Sequence, residues 1–115
     1  MMEKEISSLL FPEGLLDYFE IKSVDKQKEH YIFHLDEKNI APQGYSQNDL
    51  ESKGFYNEAS VSDFPIRGNR CTLRLRRRKW LYRPGGNTIK RDWSIVAKGT
   101  RITSEFATFL KELHR

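Results

Sequence analysis

The 115-residue sequence has almost no cysteine, no long apolar run and, across one stretch of 28 residues, no acidic side chain. Its one cysteine, Cys71, excludes an internal disulfide and a multi-cysteine zinc site. No apolar run approaches the roughly 20 residues that span a bilayer, and Glu3 and Glu5 are untypical of a secretory signal. We therefore expect a reduced, cytoplasmic protein that uses no cofactor.

The length fits one compact domain and is too short for two ordinary ones. A composition of 37% hydrophobic and 12% aromatic residues is sufficient to build a core. No repeat, low-complexity segment or linker divides the chain. We predict a single domain over residues 1–115, with an acidic half (1–63), a basic hairpin (64–96) and a C-terminal helix (104–114).

The charges are segregated along the chain, a feature that the net charge of +4 hides. Residues 1–63 carry 6 basic and 13 acidic side chains, whereas residues 64–91 carry 10 basic side chains and no acidic one. A block of this kind is not a typical mixed protein surface. It indicates a polyanionic partner, most often nucleic acid.

Hydrophobic periodicity predicts an α+β fold built on a small antiparallel sheet. We expect a short N-terminal helix over Pro12–Phe19, a hairpin formed by residues 20–24 and 30–35, and a short strand over 61–64. Residues 37–57 are predicted to form a long packed loop. The last element is a helix over about 104–114, whose apolar residues follow the i, i+3, i+4, i+7 spacing of Phe106, Phe109, Leu110 and Leu113.

The strongest predicted element is a long basic hairpin over about residues 70–96. Its apolar residues are odd-numbered at first and even-numbered later: Cys71, Leu73 and Leu75, then Trp80 and Tyr82. A regular strand cannot place both sets on one face. We predict a β-bulge or sharp twist within residues 76–79; the alternative is a two-sided hairpin whose tip packs on a partner. If Gly85 and Gly86 form a two-residue loop, Tyr82 lies opposite Ile89.

No catalytic or metal site is predicted. His30 and His34 fall on the same face of a predicted strand, but they are too far apart to share one ion easily, and a third ligand is not evident. Cys71 alternates with leucines, which favours a buried core thiol. The Pro84-Gly85-Gly86 segment is a turn, not a phosphate-binding loop that opens a helix.

The basic hairpin is the candidate binding element. An arginine fork donates two parallel hydrogen bonds to phosphates and guanine edges, and a two-stranded ribbon fits the DNA major groove. The alternative role for the cations is a solubilising edge that prevents aggregation, but the absence of acids over 28 residues argues against it. The predicted nucleic-acid-binding residues are Arg74, Arg76, Arg77, Arg78, Lys79, Arg83, Lys90 and Arg91.

Two aromatic residues of the hairpin have two open interpretations. Trp80 and Tyr82 are candidates for stacking on unpaired bases. Cross-strand packing in the core is the favoured alternative for such residues.

Several strings in the chain resemble the N-terminal region of a family of bacterial insertion-sequence transposases. They cover nearly the whole chain: LLFPEGLLDYFEI (9–21), DEKNI (36–40), ESKGF (51–55), DFPIRG (63–68), RRRKWL (76–81), RDW (91–93) and AKGTRITSEFATFLKELHR (97–115). The resemblance implies a non-catalytic DNA-binding region that recognises element ends. In such elements the catalytic acidic-triad domain lies downstream, and the cysteine-rich zinc module of related families is missing from this sequence.

These observations predict a DNA-binding domain of a transposase whose partners are the element's terminal repeats and a downstream catalytic subunit. The alternative is a protein-interaction module whose basic hairpin docks on an acidic surface, including that of the catalytic domain or of a second copy. A standalone enzyme has little support in the sequence. Duplex or single-stranded target, DNA sequence and oligomeric state stay open at this point.

Overall fold

The computed structural model describes residues 9–12 and 15–91, and strands occupy 58% of them. The fold is therefore mostly β, and the prediction of an α+β fold is wrong. The predicted helix at 104–114 lies outside the described residues. In chain order the elements are helix α1 (Leu15–Tyr18), strands β1 (Phe19–Gln27) and β2 (His30–Glu37), a 3-10 turn (Gln47–Asp49), and strands β3 (Leu50–Phe55), β4 (Ala59–Ile66), β5 (Asn69–Arg76), β6 (Arg78–Tyr82) and β7 (Asn87–Ile89).

The strands form two sheets instead of the one small antiparallel sheet predicted. A four-stranded sheet has the order β1-β2-β5-β4, and β2 pairs with β5 in parallel while the outer pairs are antiparallel. We call it the mixed sheet. A second sheet has the order β3-β6-β7 and is antiparallel throughout. The parallel pairing joins strands whose paired residues are 40 positions apart in the sequence. A pairing over this distance cannot be predicted from a local sequence pattern.

The core lies on one side of the mixed sheet, where the N-terminal segment packs. Its buried residues are Phe11, Leu15, Phe19, Leu35, Val61, Cys71, Leu73 and Leu75. The predicted N-terminal helix is present over Leu15–Tyr18, but the chain enters β1 already at Phe19. Burial of Cys71, Leu73 and Leu75 confirms the alternation expected of this strand.

The predicted irregularity within residues 76–79 is confirmed, and it takes the form of a break at Arg77 between β5 and β6. The buried positions change there from odd in β5 to even in β6, where Trp80 is fully buried. The backbone stays connected to its neighbour across the break, because the Tyr56 N–H donates to the Arg77 carbonyl at 2.8 Å. One continuous segment thereby supplies a strand to each sheet.

The basic hairpin predicted over 70–96 is consequently wrong as a single ribbon. Strand β5 pairs with β2 and β4, whereas β6 pairs with β3 and β7. The long hairpin of this fold is instead formed by residues 50–66 with residues 69–82, and it crosses both sheets. Its two-residue turn, Arg67-Gly68, has positive φ at both positions (51° and 79°), as in the type I′ turns that suit the twist of paired strands.

The second turn also differs from the expectation. Trp80, not Tyr82, lies opposite Ile89, and the loop between β6 and β7 spans residues 83–86 instead of two glycines. The shift is by two residues, so each side chain keeps the face that the alternation predicted. Residues 92–96 of the predicted hairpin lie outside the described part of the chain.

The predicted long loop over residues 37–57 is partly wrong, since it contains the 3-10 turn and β3. Strand β3 is polar and carries an irregularity between Ser52 and Phe55, where Gly54 adopts φ +86°. These features hide the alternation that normally identifies a strand. Among the described residues, no helix has the length and apolar character that crossing a bilayer requires.

Candidate nucleic-acid interface

The break at Arg77 divides the predicted cationic residues between two surfaces. Arg74 and Arg76 extend from β5 on the side of the mixed sheet opposite the core, because Leu73 and Leu75 occupy the core side. Arg78, Lys79, Arg83, Lys90 and Arg91 belong to the three-stranded sheet and its loops. The eight predicted residues therefore do not form one continuous cationic ribbon.

The two predicted binding residues on the mixed sheet, Arg74 and Arg76, are paired with acids. Arg76 donates from Nε and Nη2 to the two carboxylate oxygens of Asp36, at 2.7 and 2.6 Å. This hydrogen-bonded guanidinium lowers the pKa of Asp36 against the opposing effect of its burial. Arg74 Nη1 lies 3.8 Å from Glu58. Both acids come from the first 63 residues, so the acidic half neutralises this part of the basic block.

A wider polar network covers the same side of the mixed sheet. His34 Nε2 lies 3.1 Å from Asp25 Oδ2, and its Nδ1 lies 3.8 Å from Glu58. His30 Nε2 lies 2.7 Å from Thr72 Oγ1. The two histidines predicted to share a face therefore have separate partners, and within residues 9–12 and 15–91 no group of three or more metal-ligating side chains is arranged around one point.

Two further arginines surround a buried carboxylate, Glu37, which has no exposed surface. The Arg78 backbone N–H donates to Glu37 Oε1 at 2.9 Å, and Arg91 Nε donates to Glu37 Oε2 at 3.1 Å. Arg91 also lies over the Tyr18 ring, 4.2 Å from its centroid, and its side chain is only 11% exposed. These contacts connect the end of β2 to the three-stranded sheet. Arg78 and Arg91 therefore stabilise the fold.

The structure places the two predicted stacking residues differently from each other. Trp80 is fully buried, and its indole N–H donates to Asn39 Oδ1 at 2.9 Å. It packs in the interior, as the favoured alternative predicted. Tyr82 is half-buried and meets Tyr45 edge-on, with ring centroids 5.3 Å apart. Trp80 therefore presents no ring face to a ligand.

Two cations of the three-stranded sheet, Lys79 and Lys90, converge on Tyr56, a residue that was not among the predicted site residues. Lys79 Nζ and Lys90 Nζ lie 4.9 and 5.5 Å from the centroid of its ring. The pairing of Trp80 with Ile89 brings Lys79 and Lys90 side by side on the face opposite Trp80. We call Tyr56, Lys79 and Lys90 the lysine–tyrosine surface.

This surface is one part of the basic block that no described carboxylate neutralises, and exposed Arg67 and Arg70 likewise have no ion pair to a described residue. Within the described residues neither Lys79 nor Lys90 has an ion pair, and Lys90 is exposed. Arg77, half-buried beside Tyr56 along the backbone, likewise has no side-chain ion pair there. Arg83 is exposed and donates from Nη1 to the Asn48 carbonyl at 3.0 Å. The charge of these groups is therefore available to an anion.

Tyr56 carried no periodic signal, because it lies between β3 and β4 in the segment predicted as a loop. Its role depends on the register that brings residue 56 beside residue 77, which only the tertiary structure reveals.

Cys71 is the one potential nucleophile among the predicted core residues, and its environment suppresses reactivity. Burial, with a smaller contribution from the Asp63 carboxylate, raises the pKa of the thiol to about 12. A thiolate is the reactive form of cysteine, so this side chain is suited to packing.

Comparisons of the chain with protein-family models, with curated proteins and with solved structures give no match.

Proposed function

We propose that this chain is a non-catalytic DNA-binding domain whose lysine–tyrosine surface contacts the phosphate backbone. The observation that carries the proposal is the convergence of Lys79 and Lys90 on Tyr56 without a carboxylate partner in the described part of the chain. Lysines placed in this way gain affinity for DNA by releasing counterions from phosphates. The proposed site is smaller than the hairpin predicted from the sequence.

The target class that we propose is the ends of a mobile element. The support is the resemblance of the chain to the N-terminal region of insertion-sequence transposases, in which a separate catalytic domain lies downstream. Phosphate contacts position a protein without reading sequence, so this surface supplies affinity and leaves sequence recognition to other contacts. Association with the downstream catalytic subunit belongs to the same proposal.

The test is a fluorescence-anisotropy titration of the 115-residue chain with labelled DNA carrying the terminal repeats, at several salt concentrations. The variant is Lys79→Gln with Lys90→Gln. The matched control is Lys26→Gln with Lys28→Gln, which removes two exposed charges from the β1–β2 hairpin. Each phosphate contact contributes roughly 0.7–0.9 to the slope of log K against log salt.

We expect the Lys79/Lys90 variant to lose more than about tenfold in affinity at 0.1 M salt and to flatten the slope by about 1.4–1.8, whereas the control changes little. Equal losses in both variants would show that net charge alone matters and would overturn the site. Competition by poly-glutamate at equal charge concentration, as effective as competition by DNA, would instead favour the protein-interaction alternative.

A further inference from the structure

The three-stranded sheet has a shape that disfavours insertion into duplex DNA. Strand β6 is its central strand, flanked by β3 and β7. Because neighbouring strands lie about 4.8 Å apart, the outer strand axes are separated by roughly 10 Å before backbone and side chains add their width. The major groove is only about 12 Å wide and accepts a two-stranded ribbon. With β3 as a third strand, the sheet is therefore too broad to enter the major groove.

The centre of the other face of this sheet is closed to a ligand. Trp80 extends from β6 into the interior, where it is fully buried and bonded to Asn39. A nucleic acid therefore meets the sheet on the face of the lysine–tyrosine surface. That face offers the half-buried ring of Tyr56 with two ammonium groups over it, instead of a projecting element that enters a groove.

The combination of an aromatic ring with flanking cations matches the chemistry of an unpaired strand. Every base has a π-face that can stack on tyrosine, and every nucleotide carries a phosphate that a lysine can neutralise. In a duplex the base faces are covered by their neighbours in the stack, so a tyrosine ring beside the duplex has no base to stack on. The ring contributes to binding only if the strand is open.

We infer that the lysine–tyrosine surface binds single-stranded DNA in preference to duplex DNA, with a base stacked on Tyr56 and phosphates bound by Lys79 and Lys90. The inference rests on the proposed function, since it assigns the form of DNA that the same site takes. It also predicts which contribution each residue makes. Tyr56 discriminates between strand forms, and the two lysines support binding to both.

The experiment compares a labelled dT12 strand with a 12-base-pair duplex as ligands of the full chain. Three proteins are titrated: the parent chain, Tyr56→Phe and Tyr56→Leu. Phenylalanine keeps the π-face, whereas leucine keeps an apolar side chain without it. Thermal unfolding of each variant verifies that the fold is retained, and Tyr56→Phe keeps the test informative if Tyr56→Leu does not fold.

The parent and Tyr56→Phe are expected to bind dT12 at least about fivefold more tightly than the duplex, and Tyr56→Leu to lose at least about fivefold on dT12 but little on the duplex. Equal parent affinities for the two ligands, or an equal loss on both in Tyr56→Leu, would overturn the single-strand inference and leave the proposed function standing. If the parent binds neither ligand, the proposed function itself fails.

Discussion

At the scale of single residues, the partner of each cation decides what that cation does. Arg76 is held by two hydrogen bonds to Asp36, and Arg91 is held against buried Glu37. Lys79 and Lys90 instead face the ring of Tyr56. Arginine pairs with carboxylates through a planar fork, whereas lysine is a mobile point charge that keeps its hydration more readily. Arg76 and Arg91 therefore stabilise the fold, whereas Lys79 and Lys90 stay available.

The Asp36–Arg76 pair makes stability depend on pH in a defined direction. Because its pKa is lowered in the folded chain, Asp36 stabilises the fold fully above its ordinary pKa of 3.8, and the contribution is lost as the pH falls through the lower, folded value. We predict that Asp36→Asn lowers the free energy of unfolding at pH 7 and that the difference from the parent chain shrinks toward pH 2. Urea unfolding of both proteins between pH 7 and pH 2 measures this difference.

The control for this prediction is Asp17→Asn, which changes an exposed aspartate with no ion pair to any described residue. It should show no comparable dependence on pH. A difference for Asp36→Asn that is constant from pH 7 to pH 2 would contradict the assignment.

The pair formed by Glu37 and Arg91 gives a second prediction at this scale. Glu37→Leu removes the buried carboxylate that accepts from Arg91 Nε and from the backbone N–H of Arg78. Removing one partner of a buried ion pair typically costs about 3–5 kcal/mol, whereas replacing both partners by apolar groups can be close to neutral. We expect Glu37→Leu to be strongly destabilising in urea unfolding.

The double variant Glu37→Leu with Arg91→Met separates the two contributions. The double variant should recover part of the lost free energy of unfolding, since the buried guanidinium that has lost its carboxylate is also removed. If the two substitutions destabilise additively, the two side chains are not coupled and the structural role assigned to Arg91 is wrong.

At the scale of the elements, the local sequence pattern predicted those features that depend on residues adjacent in the chain. The change from odd to even apolar positions between Leu75 and Trp80 correctly indicated an irregularity, because side-chain alternation is a local property. The parallel pairing of β2 with β5 had no such signal. Strand β3 was missed for a different reason, since its residues are polar and Gly54 interrupts them at a bulge.

The turn at Arg67-Gly68 determines the register of the long hairpin. Gly68 has φ +79°, and a Cβ added there would meet nothing within 4 Å. Substitution is therefore opposed only by the backbone conformation, which costs an ordinary L-residue about 1–2 kcal/mol. We predict that Gly68→Ala lowers the free energy of unfolding by about this amount in urea titration.

Asparagine tolerates the left-handed conformation better than alanine, so Gly68→Asn is the matched comparison. It should retain more stability than Gly68→Ala. Equal stabilities for all three proteins would mean that this turn does not constrain the hairpin.

At the scale of the whole molecule, the charge count along the sequence overstated the cationic surface. Ten basic residues without an acid between positions 64 and 91 indicated a continuous binding ribbon. The fold places Asp36 opposite Arg76 in the parallel register and brings Glu37 to Arg91, from 40 and 54 positions away. Pairing over such distances depends on topology, so the charge count along the sequence could not predict which cations stay available.

The most direct test of the lysine–tyrosine surface as the binding site is to map backbone amide chemical shifts while the isotope-labelled 115-residue chain is titrated with dT12. We expect the largest changes at the lysine–tyrosine surface, around Tyr56, Lys79 and Lys90, and little change at Arg74 and Arg76 on the mixed sheet. Shifts centred on Arg74 and Arg76, or spread evenly over both sheets, would contradict it.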